Sequence, residues 1–305
     1  MRLLIPALCV ALLSGCGNSD DKKEKEDAVT VTEFAAGYHF AHPDAVSTLP
    51  DTLHEISGNI VLDASTIACI QDENGILFFY DFVNNRISKQ FSFGPNGDYE
   101  DLARVGKSMY VLRSDGVLLR IPDFEKQTRV DSAFVTFIPA DNSEGLYYEK
   151  SSNQLWIACK SSDDQSASDK DKRSIYAYDL AKRKLVPKPV YSFDVDSINY
   201  IAKQEELKIE SKSTKKKDKQ QKPPIRFRTS GIAIHPITGK LFLLSATDHM
   251  LFIFGKSNLP EEIIQLDPVL CNKPEGIDFL PNGDLLISNE AQGKKPTLLR
   301  FHYEQ

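Results

Sequence analysis

Apolar residues along this chain come in short runs, each cut off by Gly, Asn, Asp or Pro before it reaches the length of a helix. Ile76 to Tyr80, Met109 to Leu112, Leu155 to Ala158, Leu241 to Leu244, Met250 to Phe254 and Leu285 to Ile287 are such runs, rich in β-branched and aromatic residues. No helical period runs through them, so the pattern predicts strands joined by tight turns. The runs come in sets. Lys273-Pro274-Glu275-Gly276-Ile277-Asp278-Phe279 leads through Pro281-Asn282-Gly283 into Leu285 to Glu290, and Thr229 to Ser245 and Ser143 to Ala158 repeat the scheme. Two looser copies begin at Glu55-Ile56-Ser57-Gly58 and Tyr99-Glu100-Asp101-Leu102. A third apolar strand follows in each set.

Taking Glu55, Glu100, Glu144, Ser230 and Glu275 as anchors, the sets recur about every 45 residues, with one interval twice as long, a period typical of solenoids and propellers. Because each set makes one small antiparallel sheet, the prediction is an all-β fold, a β-propeller of four-stranded blades. Five blades are explicit, and the long interval has room for a sixth. Ile87 to Phe93, Ala133 to Phe137 and Val190 to Val195 supply outer strands for the first three blades. The segment Asp196 to Arg226, with its lysine-rich stretch 203–222, reads as an insertion. The last set holds three strands only, so an N-terminal strand within Val29 to Phe40 is expected to complete it and close the ring.

The first residues have a different character. Met1-Arg2 and the apolar run Leu3 to Leu13 form a secretory signal, residues 1–15, ending in Leu13-Ser14-Gly15-Cys16. Those four residues resemble the bacterial lipobox, in which Cys16 becomes the lipid-modified first residue. Residues 16–28 are charged and poor in apolar side chains, which fits a tether between membrane and propeller, the latter occupying 29–305. Envelope location, on the periplasmic or surface side of a membrane, follows.

Charge and cysteine content narrow the chemistry. The chain of 305 residues has a net charge of −6 despite its lysine-rich stretch, so the body is acidic and a nucleic-acid partner is disfavoured. Of five cysteines, Cys9 lies in the signal and Cys16 in the lipobox; Cys69, Cys159 and Cys271 are expected as buried thiols in a monomer. No Cys or His spacing matches a zinc site, no Ser or Cys has a His placed to activate it, and His235 reads as part of a His-Pro turn.

Glu55-Ile56-Ser57-Gly58, Gly97-Asp98-Tyr99-Glu100, Ser230 to Pro236 with Thr238-Gly239, and Pro274-Glu275-Gly276-Ile277 with Ser288-Asn289-Glu290 resemble, in this order, the SdiA-regulated family of bacterial envelope β-propellers. The resemblance implies an architecture related to the calcium-dependent phytase-like propellers and carries no settled activity. Ser230 departs from the pattern where other units place Glu.

Carboxylates are the remaining candidates. First-strand starts and second-strand ends share one face of a propeller, so Glu55, Asp98, Glu100, Glu144, Glu275 and Glu290 are expected around one mouth of the central channel. Two roles stay open for them. They hold a hard cation, Ca²⁺ being the best match to an all-oxygen set, or each anchor Glu accepts backbone N–H groups from the next blade as an architectural clasp. The functional expectation is a membrane-anchored lipoprotein binding a small-molecule or protein ligand at this mouth. The alternative is a calcium-dependent hydrolase of phosphoesters or lactones.

Overall fold

Strands end where the turn residues fall: Gly106, Asn153, Gly239 and Gly283, between the first and second strands of four units, all adopt positive φ, a conformation that Gly and Asn reach at low cost. The computed structural model describes residues 31–126, 129–140, 142–161, 172–205, 207 and 225–305. It has five four-stranded antiparallel blades. Blade 1 comprises Ile56–Val61, Thr66–Gln71, Ile76–Asp81 and Arg86–Ser92; blade 2 comprises Tyr99–Val105, Ser108–Arg113, Val117–Ile121 and Ser132–Val135. Blade 3 contains Ser143–Glu149, Gln154–Cys159 and Lys172–Asp179, with the outer position shared by Lys184–Leu185 and Tyr191–Asp194. Blade 4 is Gly231–Ile234, Leu241–Ser245, Met250–Phe254 and Pro260–Gln265.

Blade 5 is built from both ends of the described chain. Pro274–Phe279, Leu285–Asn289 and Thr297–Phe301 are joined by Ala45–Thr48, which pairs antiparallel with the third strand from Ala45↔Arg300 to Thr48↔Thr297. The ring is therefore closed by an N-terminal strand, as expected, but by a later one than 29–40. Within that earlier stretch, Phe34–Ala35 and Tyr38–His39 pair with each other across Ala36 and Gly37, both at positive φ. Tyr38 then inserts between blades 4 and 5, its hydroxyl donating to the Gly283 carbonyl at 2.6 Å. Tyr38 and Phe40 of this stretch serve packing rather than the edge, while Phe34 is exposed.

Cores lie between blades. Five buried apolar clusters correspond to the five blade-to-blade interfaces, for example Phe79, Phe93, Tyr99 and Met109 between blades 1 and 2. Strands such as Leu241–Ser245 are buried along their whole length, because a middle strand is covered on both faces by neighbouring blades. Cys69, Cys159 and Cys271 are buried and not in disulfides. His235, 1 % exposed, accepts the Ile237 and Thr238 N–H groups on Nδ1, both at 3.1 Å, and so fixes the His-Pro turn.

No sixth blade occupies the long interval among its described residues. Instead the helix Val195–Gln204 follows blade 3, which the strand pattern did not anticipate. Asp194 caps it by accepting the Ser197 N–H at 2.7 Å, and Val195, Ile198 and Ala202 face the core between blades 3 and 4. Most of the lysine-rich stretch 203–222, the signal 1–15, Cys16 and the tether 16–28 lie outside the described residues.

Candidate functional site: the acidic channel mouth

The inner strands do not begin regularly. In blade 2 the pairing steps from Tyr99↔Arg113 to Asp101↔Leu112; in blade 3 from Ser143↔Cys159 to Gly145↔Ala158; in blade 5 from Pro274↔Asn289 to Gly276↔Ser288. The extra residue in each bulge is Glu100, Glu144 or Glu275. A bulge takes one residue out of the ladder and re-aims its side chain, and here it does so three times at the same point of the ring. Glycine follows two of these glutamates because the inner strands crowd at the axis: a Cβ on Gly145 would come within 2.8 Å of Ile232 Cγ2, and one on Gly276 within 2.3 Å of Asn59 Oδ1.

Blade 1 has its bulge between Ile56 and Asn59, so Ser57, not Glu55, holds the position of the three glutamates. Blade 4 has Ser230 there. Both serines tie blades together, Ser57 Oγ donating to the Tyr99 carbonyl and Ser230 Oγ to the Pro274 carbonyl, each at 2.8 Å. Glu55 precedes the strand and still reaches the mouth from the side, its charge acting on Asp72.

The clasp expected of the anchor glutamates belongs to other residues. Asp101 accepts the Leu146 N–H of blade 3 at 2.7 Å, and Asp278 accepts the Val61 N–H of blade 1 at 2.6 Å. Glu144 instead receives Lys160 Nζ at 2.9 Å, and Lys273 Nζ lies between Glu275, at 3.2 Å, and Glu290. Asp98 accepts Ser114 Oγ at 2.5 Å. Lys160 and Lys273 are the counter-charges of the mouth, and Lys273 directly precedes the Pro-Glu-Gly motif. Arg113 is paired with Asp115, and Asp248 accepts the Arg226 and Phe227 N–H groups.

Two ammonium groups do not neutralise this set. Burial, with Glu144 and Asp98 adding to it, pushes Glu100 up to about 9. Burial raises Glu275 to about 7 against the pull of Lys273, and burial with Glu55 and Glu290 raises Asp72 to about 6. Glu144 is raised too, by burial that outweighs Lys160. Burial opposes the charge on Lys160, but Glu144, Glu275 and Glu100 together hold its pKa above the ordinary lysine value. All six predicted carboxylates thus share one end of the channel, linked through Asp72, Lys160 and Lys273. At a corner of this site, Asp72 Oδ1 is buried with no hydrogen-bond partner, and Glu55 Oε2, also without a hydrogen bond, faces His54 Nε2 at 3.5 Å. Among the described residues no three His, Cys, Asp or Glu side chains stand close enough to hold a metal ion as placed.

No family model matches the chain, and no curated protein matches it in sequence. Among solved structures it is similar to glutaminyl cyclase of Myxococcus xanthus, with a TM-score of 0.57 at 12 % identity over 86 % of this chain and 96 % of that one. It also matches the WD40 β-propeller domain of Doa1, with a TM-score of 0.46 at 12 % identity over 89 % of this chain and 99 % of that one. The likeness to the cyclase shows the fold alone, a β-propeller.

Proposed function

We propose that this chain is a bacterial envelope lipoprotein of the SdiA-regulated type, held on a membrane through lipid on Cys16, whose propeller binds a ligand at the acidic mouth together with Ca²⁺. The observation that carries the reading is the excess of carboxyl over ammonium groups there. Glu100, Glu144, Glu275, Glu290, Glu55, Asp98 and Asp72 surround only Lys160 and Lys273, and the imbalance is expressed as protons retained on Glu100 and Glu275. A cation or a cationic ligand entering the mouth would displace those protons. The donors are all hard oxygens, which suits Ca²⁺ with its six to eight ligands in flexible geometry. Asp72, with its unpartnered oxygen, Glu55, which faces the His54 ring, and Glu100 with Asp98 would supply the coordination that the lysines leave open. The side chains would have to draw together to do so.

Calorimetric titration of metal-free protein with CaCl₂, alongside melting with and without chelator, tests this. Saturable heat and a higher melting temperature with Ca²⁺ are expected. No heat and no shift at millimolar Ca²⁺ would remove the metal from the proposal.

A hydrolytic reading is favoured by one feature, the pairing of Glu100 near 9 with Glu275 near 7 at one site, since carboxyls tuned toward neutrality serve as general acid and base. The negative field opposes phosphoesters more than uncharged lactones. A Ca²⁺-supplemented screen of both substrate classes decides it: turnover abolished in Glu100→Gln establishes an enzyme, and none in the wild type leaves binding alone.

A further inference from the structure

Farther along the same inner strands lies a partly open cavity of about 110 Å³, lined by at least one residue from every blade, among them Asn59, Asp101, Tyr147, Ile232 and Asp278. Its polar lining is incompletely used. Asn59 is 3 % exposed; its Oδ1 accepts the Ser288 hydroxyl at 2.7 Å, and its Nδ2 has no partner. A buried amide donor left unmade is costly in a folded protein and signals a missing acceptor. Asp101 accepts the Leu102 and Leu146 N–H groups, at 2.8 and 2.7 Å, and Asp278 accepts that of Val61. Burial raises Asp278 to about 6 and Asp101 well above the ordinary value, so at neutral pH Asp278 supplies the negative charge, and the carboxyl oxygens of both retain acceptor capacity for a further donor.

The cation that lines the cavity does not neutralise these acids. Arg104 Nε donates to the Gly106 carbonyl at 3.1 Å, and its guanidinium lies over the Phe124 ring at 5.5 Å. Two carboxyl groups and an unpartnered amide donor therefore line one small, partly open volume built by all five blades.

We propose that this cavity is a second binding site, distinct from the mouth, for a small molecule that carries an ammonium group and a carbonyl or hydroxyl acceptor. The ammonium pairs with the Asp278 carboxylate and donates to a carboxyl oxygen of Asp101, and the acceptor receives the hydrogen bond of Asn59 Nδ2–H. Size restricts the ligand to a few heavy atoms, since a cavity of about 150 Å³ holds benzene. The site does not rest on the reading of the mouth as a Ca²⁺ site.

Glycinamide has both groups and is the probe, with methylammonium and acetamide each lacking one. Titration at neutral pH in the presence of chelator, followed by calorimetry and by ligand-observed NMR, is expected to show saturable glycinamide binding and at least about tenfold weaker binding of the other two. Asp278→Asn keeps a carbonyl for the Val61 N–H, so it preserves the clasp, and it should weaken glycinamide at least about tenfold. Glu275→Gln at the mouth should leave it unchanged. Absence of glycinamide binding would overturn the proposal and leave a cavity filled by water. Equal affinity for methylammonium would remove the role of Asn59, and loss in Glu275→Gln without loss in Asp278→Asn would assign the ligand to the mouth.

Discussion

Glu275 and Glu100 hold protons in the folded state that the unfolded chain releases. The ordinary value for Glu275 is 4.5 and its folded value about 7, so between these pH values the native state binds more protons and stability falls as pH rises. Glu100 extends the decline to about 9. Glu275→Gln and Glu100→Gln are therefore expected to flatten the stability curve on the alkaline side, measured by urea denaturation across that range in chelator; curves parallel to wild type would show that neither carboxyl is strained by its surroundings. Burial raises Asp101 as well, well above the ordinary aspartate value, and this buried acid is tied to two backbone N–H groups. Asp101→Ala should cost about 1 to 3 kcal/mol in the same assay, because both donors are left buried and unpaired; an unchanged midpoint would contradict its clasp role. The glutamates at 100, 144 and 275 were legible in the sequence because each stands next to the first apolar strand of a repeat. Glu55 was misaligned by two residues, since nothing in Glu-Ile-Ser-Gly shows that the bulge falls at Ser57. The clasp residues were missed because an Asp inside an apolar strand looks the same whether it faces solvent or a neighbouring blade.

Among the elements, the inner strands carry both architecture and site. Their bulges place the glutamates, and their glycines permit the approach of one blade to the next. Gly276→Ala would set a Cβ within 2.4 Å of Ser288 Oγ as well as against Asn59, and overpacking of this kind costs about 1 to 3 kcal/mol. A loss of that size in thermal or denaturant unfolding is expected, and wild-type stability would mean that the axis is looser than the contacts indicate. Strand content was readable from the interrupted apolar runs. Bulges were not, because a one-residue slip in register leaves no mark on composition. The helix Val195–Gln204 was overlooked for a related reason: three buried positions on ten residues are too few to stand out beside a lysine-rich stretch. Ala45–Thr48 is hard to read as the closing strand because Phe34, Tyr38 and Phe40 look more like strand residues, although Tyr38 and Phe40 are packed between blades 4 and 5 and Phe34 is exposed.

At the scale of the whole molecule, the ring is held by pairing between residues near the two ends of the chain. Ala45–Thr48 lies on Thr297–Phe301, so removal of residues through Pro50 should expose an open edge in blade 5 and give a less stable, aggregation-prone protein, whereas removal of 1–30 should leave the melting temperature unchanged. Equal melting of the two truncations would contradict the closure. The assembled ring gathers like charges from four blades at one end, something no single repeat does. That gathering underlies the proposed role of the mouth, and proton release measures it directly. In weakly buffered, metal-free protein at pH 7, addition of Ca²⁺ is predicted to release protons in proportion to binding, with the release reduced in Glu100→Gln and in Glu275→Gln. Binding of Ca²⁺ without proton release, or release unchanged in both variants, would contradict the account.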